Sequence, residues 1–329
     1  MVKQNNIAII GTGFSAATLK YFLKSEADFF EKSRGIGGRS STRKVEGIGS
    51  FDHGLQYIST NHEEFSTFLG SNGNRIWDGK FIINFNKNKS LDSKKRIIHS
   101  EGNNKLIKKI FEKSNIFFQK ELREIKRNKD TWNLIFKDDT EANYKTVLIT
   151  VPFQQALNLT KSFTSDFYSK FNFQMDPNLT VMVAFNKSLG LDYASYTYKD
   201  DPELGFAANE NTKKPYLLNN KLELWTIQSS VKFAKKYIQN YRENKNLLTE
   251  QIVKAFLKSV KINYETNTII HQDIHGWLYA YGKQLSAPNS FWNEDLKLGI
   301  CGDYFSGFKA EHAFLSAKHL CLQVQKTLL

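Results

Sequence analysis

The chain has 329 residues, 40% of them apolar and 14% aromatic, with a formal net charge of +13. That length and apolar content suit one elaborate domain or two, and they exclude a disordered chain. No run of 18 apolar residues predicts a membrane span, and Cys301 and Cys321, the only two cysteines, lie outside any CxxC or Cys/His cluster, so neither a disulfide framework nor a metal site is expected.

The positive charge is spread over short Lys/Asn-rich patches at 86–89, 94–96, 105–109 and 235–236. No zinc-finger, RNP or helix-turn-helix signature accompanies them, so no nucleic-acid partner is expected. A basic surface of this kind still steers anionic small ligands. The N-terminus enters a strand almost at once, without a charged segment and apolar signal core. With the sparse cysteines, this predicts a cytoplasmic protein.

Asn6 to Ile10 is an apolar run that leads into Gly11-Thr12-Gly13-Phe14-Ser15-Ala16. A helix-like stretch, 17–24, and a second apolar burst, 27–30, end at Glu31. Strand, glycine turn, helix, strand and acid, with Glu31 twenty residues after Gly11, is the pattern of a dinucleotide-binding unit. Gly11 permits the tight turn. Gly13 has no side chain to keep a pyrophosphate away. Ala16 stands where a third glycine is commonest and still permits close helix–strand packing. The N-terminus of the helix offers unpaired N–H groups to phosphate, and Glu31 can accept hydrogen bonds from a ribose diol.

Folds that bind only NAD usually continue from this acid into another helix. Here the chain runs instead into Lys32-Ser33-Arg34-Gly35-Ile36-Gly37-Gly38-Arg39. A glycine-rich loop with two arginines can wrap a larger dinucleotide and bring Arg39 near its phosphates.

Further along, 104–113 has helical spacing, and 116–152 reads as a series of strands ending at Pro152. From about Phe163 the character shifts. Strands are predicted over 180–186 and 222–229, and an amphipathic helix over 246–260 with Leu247, Leu248, Ile252, Val253, Phe256 and Leu257 on one face. A strand over 268–281 places His275, Trp277 and Tyr279 on one side. This row is either a packed aromatic face or a wall for a ligand. A last strand, 298–301, runs into Gly302-Asp303, and a helix is predicted over 310–324.

The segments Phe30 to Gly35, Gly38-Arg39, Ser41-Thr42-Arg43 and Phe51-Asp52-His53-Gly54-Leu55-Gln56-Tyr57 resemble the renalase family, a branch of the FAD-dependent amine-oxidase-like flavoproteins. The resemblance returns in Cys301 to Gly307 and in Glu311-His312-Ala313-Phe314-Leu315-Ser316. Weaker matches lie at Glu101-Gly102-Asn103, Val151-Pro152 and 275–280.

The resemblance implies an α/β fold, with a Rossmann-type FAD-binding domain over 1–75, 100–160 and 285–329 and a sheet-and-helix substrate domain over 76–99 and 161–284. It implies FAD held by Gly11, Gly13, Phe14, Ser15, Ala16, Glu31, Lys32, Gly38, Arg39, His53, Gly54, Gln56, Gly302, Asp303, Ala313 and Phe314, and the attachment is expected to be noncovalent because neither cysteine has an evident activating context. Gln56, Tyr57, Trp277, Tyr279 and His312 fall on the reacting side. The expected chemistry is hydride transfer from a small substrate, such as an anomalous dihydro-NAD(P) isomer, to the flavin N5, with reoxidation by dioxygen. A flavin amine oxidase or desaturase, and a degenerate flavoprotein, are the alternatives.

Three departures bear on the substrate. His312 stands where the family tends to have glycine, Gly276 where it commonly has arginine, and Asn209-Glu210 where it often has Arg-Asn. A histidine at 312 must point away, shift the helix or occupy part of the substrate space.

Overall fold

The computed structural model describes residues 5–70, 73–171, 173–219, 221–264, 269–282 and 288–328. The chain divides into two compact units. One is built from 1–38, 107–175 and 281–329, the other from 39–106 and 176–280.

The first unit is a six-stranded sheet. Its strand order is Phe291–Asn293, Leu298–Ile300, Thr146–Ile149, β1 (Ile7–Ile10), β2 (Ala27–Glu31) and Asn115–Phe118. All neighbours are parallel except the first pair. β1 is buried along its whole length, as are β2 and Thr146–Ile149. That is why these strands read as continuous apolar runs and not as alternating ones. Helix α1 (Phe14–Phe22) follows β1.

An antiparallel meander, Leu122–Asn128, Thr131–Phe136 and Glu141–Tyr144, and helix Phe153–Tyr168 complete the unit's core around Trp132, Phe153, Phe173 and Phe305. The expected run of strands over 116–152 thus serves two sheets. Asn115–Phe118 and Thr146–Ile149 extend the parallel sheet, and only the three strands between form the meander.

One buried acid ties this unit together. Asp28, on β2 and 1% exposed, accepts from Asn5 Nδ2 at 2.7 Å, Asn115 Nδ2 at 2.9 Å and Tyr144 Oη at 2.7 Å. It fastens the sheet to the meander by accepting from three donors.

The second unit is a seven-stranded sheet, in the order Ile269–Gly282, Met175–Phe185, Glu223–Ser229, Leu204–Asn209, Ser195–Thr197, Phe81–Ile83 and Ser90–Leu91. Helices Val231–Tyr237 and Lys245–Ser259 supply residues to its main core, with Phe256 against Trp225 at a centroid distance of 4.9 Å. Leu248, Ile252, Val253, Phe256 and Leu257 are buried, but Leu247 is 64% exposed. The apolar stripe is narrower than the sequence suggested, and Leu247 lies one step of the helical wheel outside it.

The units divide the chain differently from the sequence reading. Residues 39–75 and 100–106 pack with the second unit. The hairpin Arg43–Val45/Gly49–Phe51 explains the first shift, because Phe51 is buried with Met182, Ala184, Leu217 and Leu224. Residues 161–175 stay with the first unit, since helix Phe153–Tyr168 runs straight through Phe163 and Tyr168 and Phe173 join the core there. The expected change of character at Phe163 is therefore not a boundary. Thr268 and the expected boundary at 284/285 lie outside the described residues.

Arg96 is another revision. It belongs to no surface patch but is 1% exposed, its guanidinium 4.2 Å from the Tyr57 ring centroid and 4.0 Å from that of Phe81. Its Nη1 and Nη2 donate hydrogen bonds to Ser195 Oγ at 2.8 Å and Asp92 Oδ2 at 2.9 Å. Among the described residues no helix is long and apolar enough to cross a membrane.

Replacing Asp28 with alanine removes the acceptor of these three donors while leaving the sheet's apolar faces intact. The urea midpoint should fall by the equivalent of roughly 2–4 kcal/mol. An unchanged midpoint would show that these hydrogen bonds are dispensable.

Candidate functional site

The turn after β1 is shaped by its glycines in two different ways. Gly11 has φ +108°, and a Cβ there would lie 2.6 Å from Thr150 Oγ1, so the fold itself requires glycine. Among the described residues, no atom lies within 4 Å of a Cβ placed on Gly13, so they leave the space above it open. Gly13 caps α1 without any side-chain hydrogen bond, and no acid stands in the first helical turn. These are the conditions under which a helix N-terminus accepts an anion. Phe14, Ser15 and Ala16 are buried at this end of the helix, and Ser15 Oγ donates to Ala313 O at 3.3 Å.

Glu31, at the end of β2, is 6% exposed. Its Oε2 accepts from Thr12 N at 3.1 Å and Thr12 Oγ1 at 2.7 Å, and its Oε1 from Ser33 N at 2.8 Å. The carboxylate is thus fixed beside the glycine turn with lone pairs to spare. The glycine-rich loop folds back over the same turn. Gly37 N donates to Thr12 O at 3.2 Å, and a Cβ on Gly38, at φ +51°, would lie 3.6 Å from Gly13 Cα. Lys32 is exposed.

Later in the chain, Gly302 N donates to Ser316 Oγ at 3.0 Å, and a Cβ on Gly302 would strike the Tyr304 ring. Asp303 is 3% exposed, and its carbonyl accepts from Ser306 N and Gly307 N. Ala313 and Phe314 are buried in the first turns of helix Ala310–Leu328. His312 turns back on its own helix start. Its ring fills the place of a Cβ on Gly307, and its Nδ1 lies 3.4 Å from Lys309 N. Burial and the neighbouring Lys309 lower its pKa.

In the second unit the segment Asp52 to Gln56 is held at every carbonyl. Asp52 O accepts from Gln56 Nε2 and His53 O from Trp277 Nε1 at 2.8 Å. Gly54 O accepts from Gln228 Nε2 at 2.9 Å and from Gln56 Nε2 at 3.2 Å. Leu55 O and Gln56 O each accept from Asn103 Nδ2 at 2.9 Å. Gly54 is required, because a Cβ would overlap Arg39 O. Arg39 itself donates from Nη1 to Ala280 O at 3.1 Å.

His53 is 5% exposed, with its ring centroid 5.0 Å from that of His275 and 5.3 Å from that of Trp277. Burial, then the neighbouring His275 and Arg43, push its pKa down to about 3. Burial and Arg43 push His275 down to about 4. Both rings are neutral at pH 7. His275 and Trp277 stand 4.4 Å apart, as the strand alternation implies, and Tyr279 is half-buried further along. Gly276 has a packing reason of its own, because the ring of Tyr241 occupies the space beside its Cα. Burial raises the pKa of Tyr57, against the pull of Arg96.

Sequence reasoning missed the groups behind Gln56. Asp52, Glu210, Lys213 and Lys214 are all fully buried. Lys214 Nζ touches Glu210 Oε2, with Asp52 Oδ2 at 3.3 Å and Ser50 O at 3.1 Å. Lys213 Nζ donates to Gln56 Oε1 at 2.8 Å and Glu210 Oε1 at 3.2 Å, with Asp52 Oδ2 at 3.9 Å. Thr226 Oγ1 and Asp52 N also donate to Glu210 Oε1, at 2.6 and 3.2 Å. Burial alone would raise the pKa of Asp52, but Lys214 and Lys213 hold it below the usual carboxylate range. Burial lowers Lys213, with only partial compensation from Glu210 and Asp52, whereas those carboxylates raise Lys214 despite its burial. The departure at Glu210 is therefore answered within one short helix, Glu210–Lys213, and its C-cap Lys214. The visible signal was an acid followed three and four residues later by two lysines.

Residues 9–71 match the NAD(P)-binding Rossmann-like domain family. Among solved structures, the chain is similar to a putative protoporphyrinogen oxidase from Exiguobacterium sp. 255-15, with a TM-score of 0.74 at 11% identity, covering 99% of this chain and 100% of that one. It is also similar to cyclohexylamine oxidase from Brevibacterium oxydans IH-35A, with a TM-score of 0.70 at 11% identity, covering 99% and 100%. Putrescine oxidase, in a structure bound to putrescine, gives a TM-score of 0.69 at 9% identity, covering 98% and 99%. At such identities the likeness establishes the fold: a Rossmann-type nucleotide-binding domain joined to a sheet-rich second domain.

The two depressed histidines set a pH dependence. A histidine whose folded pKa lies below the ordinary 6.5 binds its proton first in the unfolded chain. Stability is therefore lost as pH falls below about 6.5 toward the folded values, at roughly 1 kcal/mol per histidine per pH unit. The loss of melting temperature between pH 7 and pH 5 should be clearly smaller in a His275→Gln variant. An equal loss in both proteins would mean that His275 is not held neutral.

Proposed function

We propose that the protein is an FAD-dependent oxidoreductase that takes hydride from a small organic substrate. The observation that carries this reading is the cradle of the first unit: the free space over Gly13, the helix start without a side-chain cap, and the fixed carboxylate of Glu31. In this reading Gly11, Gly13, Phe14, Ser15 and Ala16 form the pyrophosphate turn and Glu31 receives the ribose diol. Gly38 and Lys32 flank the turn, while Gly302, Asp303, Ala313 and Phe314 supply a second set of contacts. The loop through Gly37 and Gly38 favours FAD over NAD, because it closes on the turn where an NAD-only fold would continue as a helix. Arg39, His53, Gly54 and Gln56 are proposed as further cofactor contacts.

FAD, when bound, supplies the hydride acceptor and the route to dioxygen. The protein's part is to bind, orient and exclude water. Tyr57, Trp277 and Tyr279 are proposed to orient the substrate. His312, held on its own helix start, is proposed to limit the space at that end. His53 and His275 are neutral near pH 7, so they can accept hydrogen bonds but place no positive charge beside a substrate. An electron-rich dihydropyridine can lose hydride without a general base, which suits a renalase-like oxidation of an anomalous dihydro-NAD(P) isomer. The basic charge of +13 suits such an anionic substrate.

A flavin amine oxidase is the second reading. The whole-chain likeness to cyclohexylamine oxidase and putrescine oxidase favours it. Aerobic turnover of a dihydro-NAD isomer, measured beside a panel of amines, decides between the two. Oxidation of the isomer alone supports the first reading, oxidation of amines alone replaces it with the second, and oxidation of neither with FAD bound contradicts both.

Glu31→Ala should weaken FAD binding about ten- to hundredfold through the loss of hydrogen bonds to the ribose, roughly 1.5–3 kcal/mol. Equilibrium titration followed by flavin fluorescence checks this. Undiminished affinity would leave Glu31 as only the anchor of Thr12 and Ser33.

A further inference from the structure

The charged groups behind Gln56 are poorly explained by stability. Four buried charges must be stripped of water, and an apolar cluster of equal volume is often at least as stable. Their arrangement is better explained by what it holds. Two carboxylates, Asp52 and Glu210, face two ammonium groups, Lys213 and Lys214, so the set is neutral.

The two lysines are not equivalent. Lys214 is spent on both carboxylates and Ser50 O. Lys213 reaches past them to the neutral Oε1 of Gln56 and lies 5.0 Å from the Trp77 ring centroid. That bond decides which way the Gln56 amide faces. With Oε1 on Lys213, Nε2 is directed to the carbonyls of Asp52 and Gly54.

We propose that Lys213 is a positioning residue, holding Gln56 and through it the 52–57 segment in the conformation that meets the ligand. This rests on the proposed function only in giving Gln56 and Tyr57 a ligand to meet. The positioning itself belongs to the protein alone. Lys213 needs no access to the reaction and has none, being fully buried.

The test uses hydrogen exchange of the Leu55 amide, which donates to Arg39 O at 2.8 Å, in the full chain without added cofactor. The failure of this inference is thereby separable from the failure of the FAD reading. Because Lys213→Met alone leaves an uncompensated carboxylate and can prevent folding, the informative variant is the charge-balanced pair Lys213→Met with Glu210→Gln. Glu210→Gln with Lys214→Met, which is also charge-balanced but keeps Lys213, serves as the control.

In the pair, Leu55 should exchange about tenfold faster than in the control, as for the loss of one charge-assisted hydrogen bond. Gln56→Leu, which also removes the Nε2 bonds to Asp52 O and Gly54 O, should have at least as large an effect, and adding the pair to it should produce little further change, because Lys213 acts through that amide. Lys213→Arg should restore most of the protection. Protection of Leu55 unchanged in the pair, or effects of the pair and Gln56→Leu that simply multiply, would overturn the assignment.

Discussion

A pyrophosphate can sit on a protein backbone only where N–H groups are left free and no side chain stands in the way. At the turn Gly11-Thr12-Gly13 the space over Gly13 is open and α1 starts without a side-chain cap, while Gly11 N and Thr12 N are held by Phe30 O and Glu31 Oε2, and much of the first unit serves this arrangement. β1 lies inside the parallel sheet, so its end is fixed by neighbours on both sides. Thr150, at the end of the adjacent strand, closes so tightly on Gly11 that no side chain fits there. Glu31 is then locked beside the turn by the hydrogen bonds of Thr12, and the 37–38 loop folds over it. Each contact fixes a group without filling the space over Gly13.

The second unit solves a different problem by a related means. The 52–56 segment has no regular partner strand, yet all five of its carbonyls are taken by side chains from four places in the unit. Such a loop keeps its shape because its polar groups are satisfied, not because it packs in a sheet. The buried charges behind it extend the same logic. Their value lies in direction, since a charge-assisted bond to Gln56 Oε1 selects one face of an amide that is otherwise nearly symmetric in shape.

The elements visible in the sequence were those built from local order. β1, α1 and β2 follow from residues within a window of some twenty-five positions, and helix Lys245–Ser259 from its own apolar spacing. The alternation of His275 and Trp277 predicted a shared face, and the rings do meet. The hidden features were those made by distant pairs. Asp52 and Glu210 are 158 positions apart, and neither predicts the other. Arg96 looked like one more surface charge because nothing near it in sequence reveals the stack of Tyr57 and Phe81. Unit boundaries were obscured for the same reason, since Phe51 is claimed by partners more than a hundred residues later. His312 is the reverse case. Its partners, Gly307 and Lys309, are close in sequence, but only the geometry of the helix start shows the ring turning back on them.

The central claim is that the cradle around Gly13 and Glu31 holds FAD and not NAD. The most direct measurement is the cofactor content of the purified protein, read from its visible spectrum and from the nucleotide released when it is denatured. The account predicts a yellow protein that releases about one intact FAD per chain, leaving no flavin on the polypeptide. A colourless protein that rejects added FAD and binds NAD would contradict it.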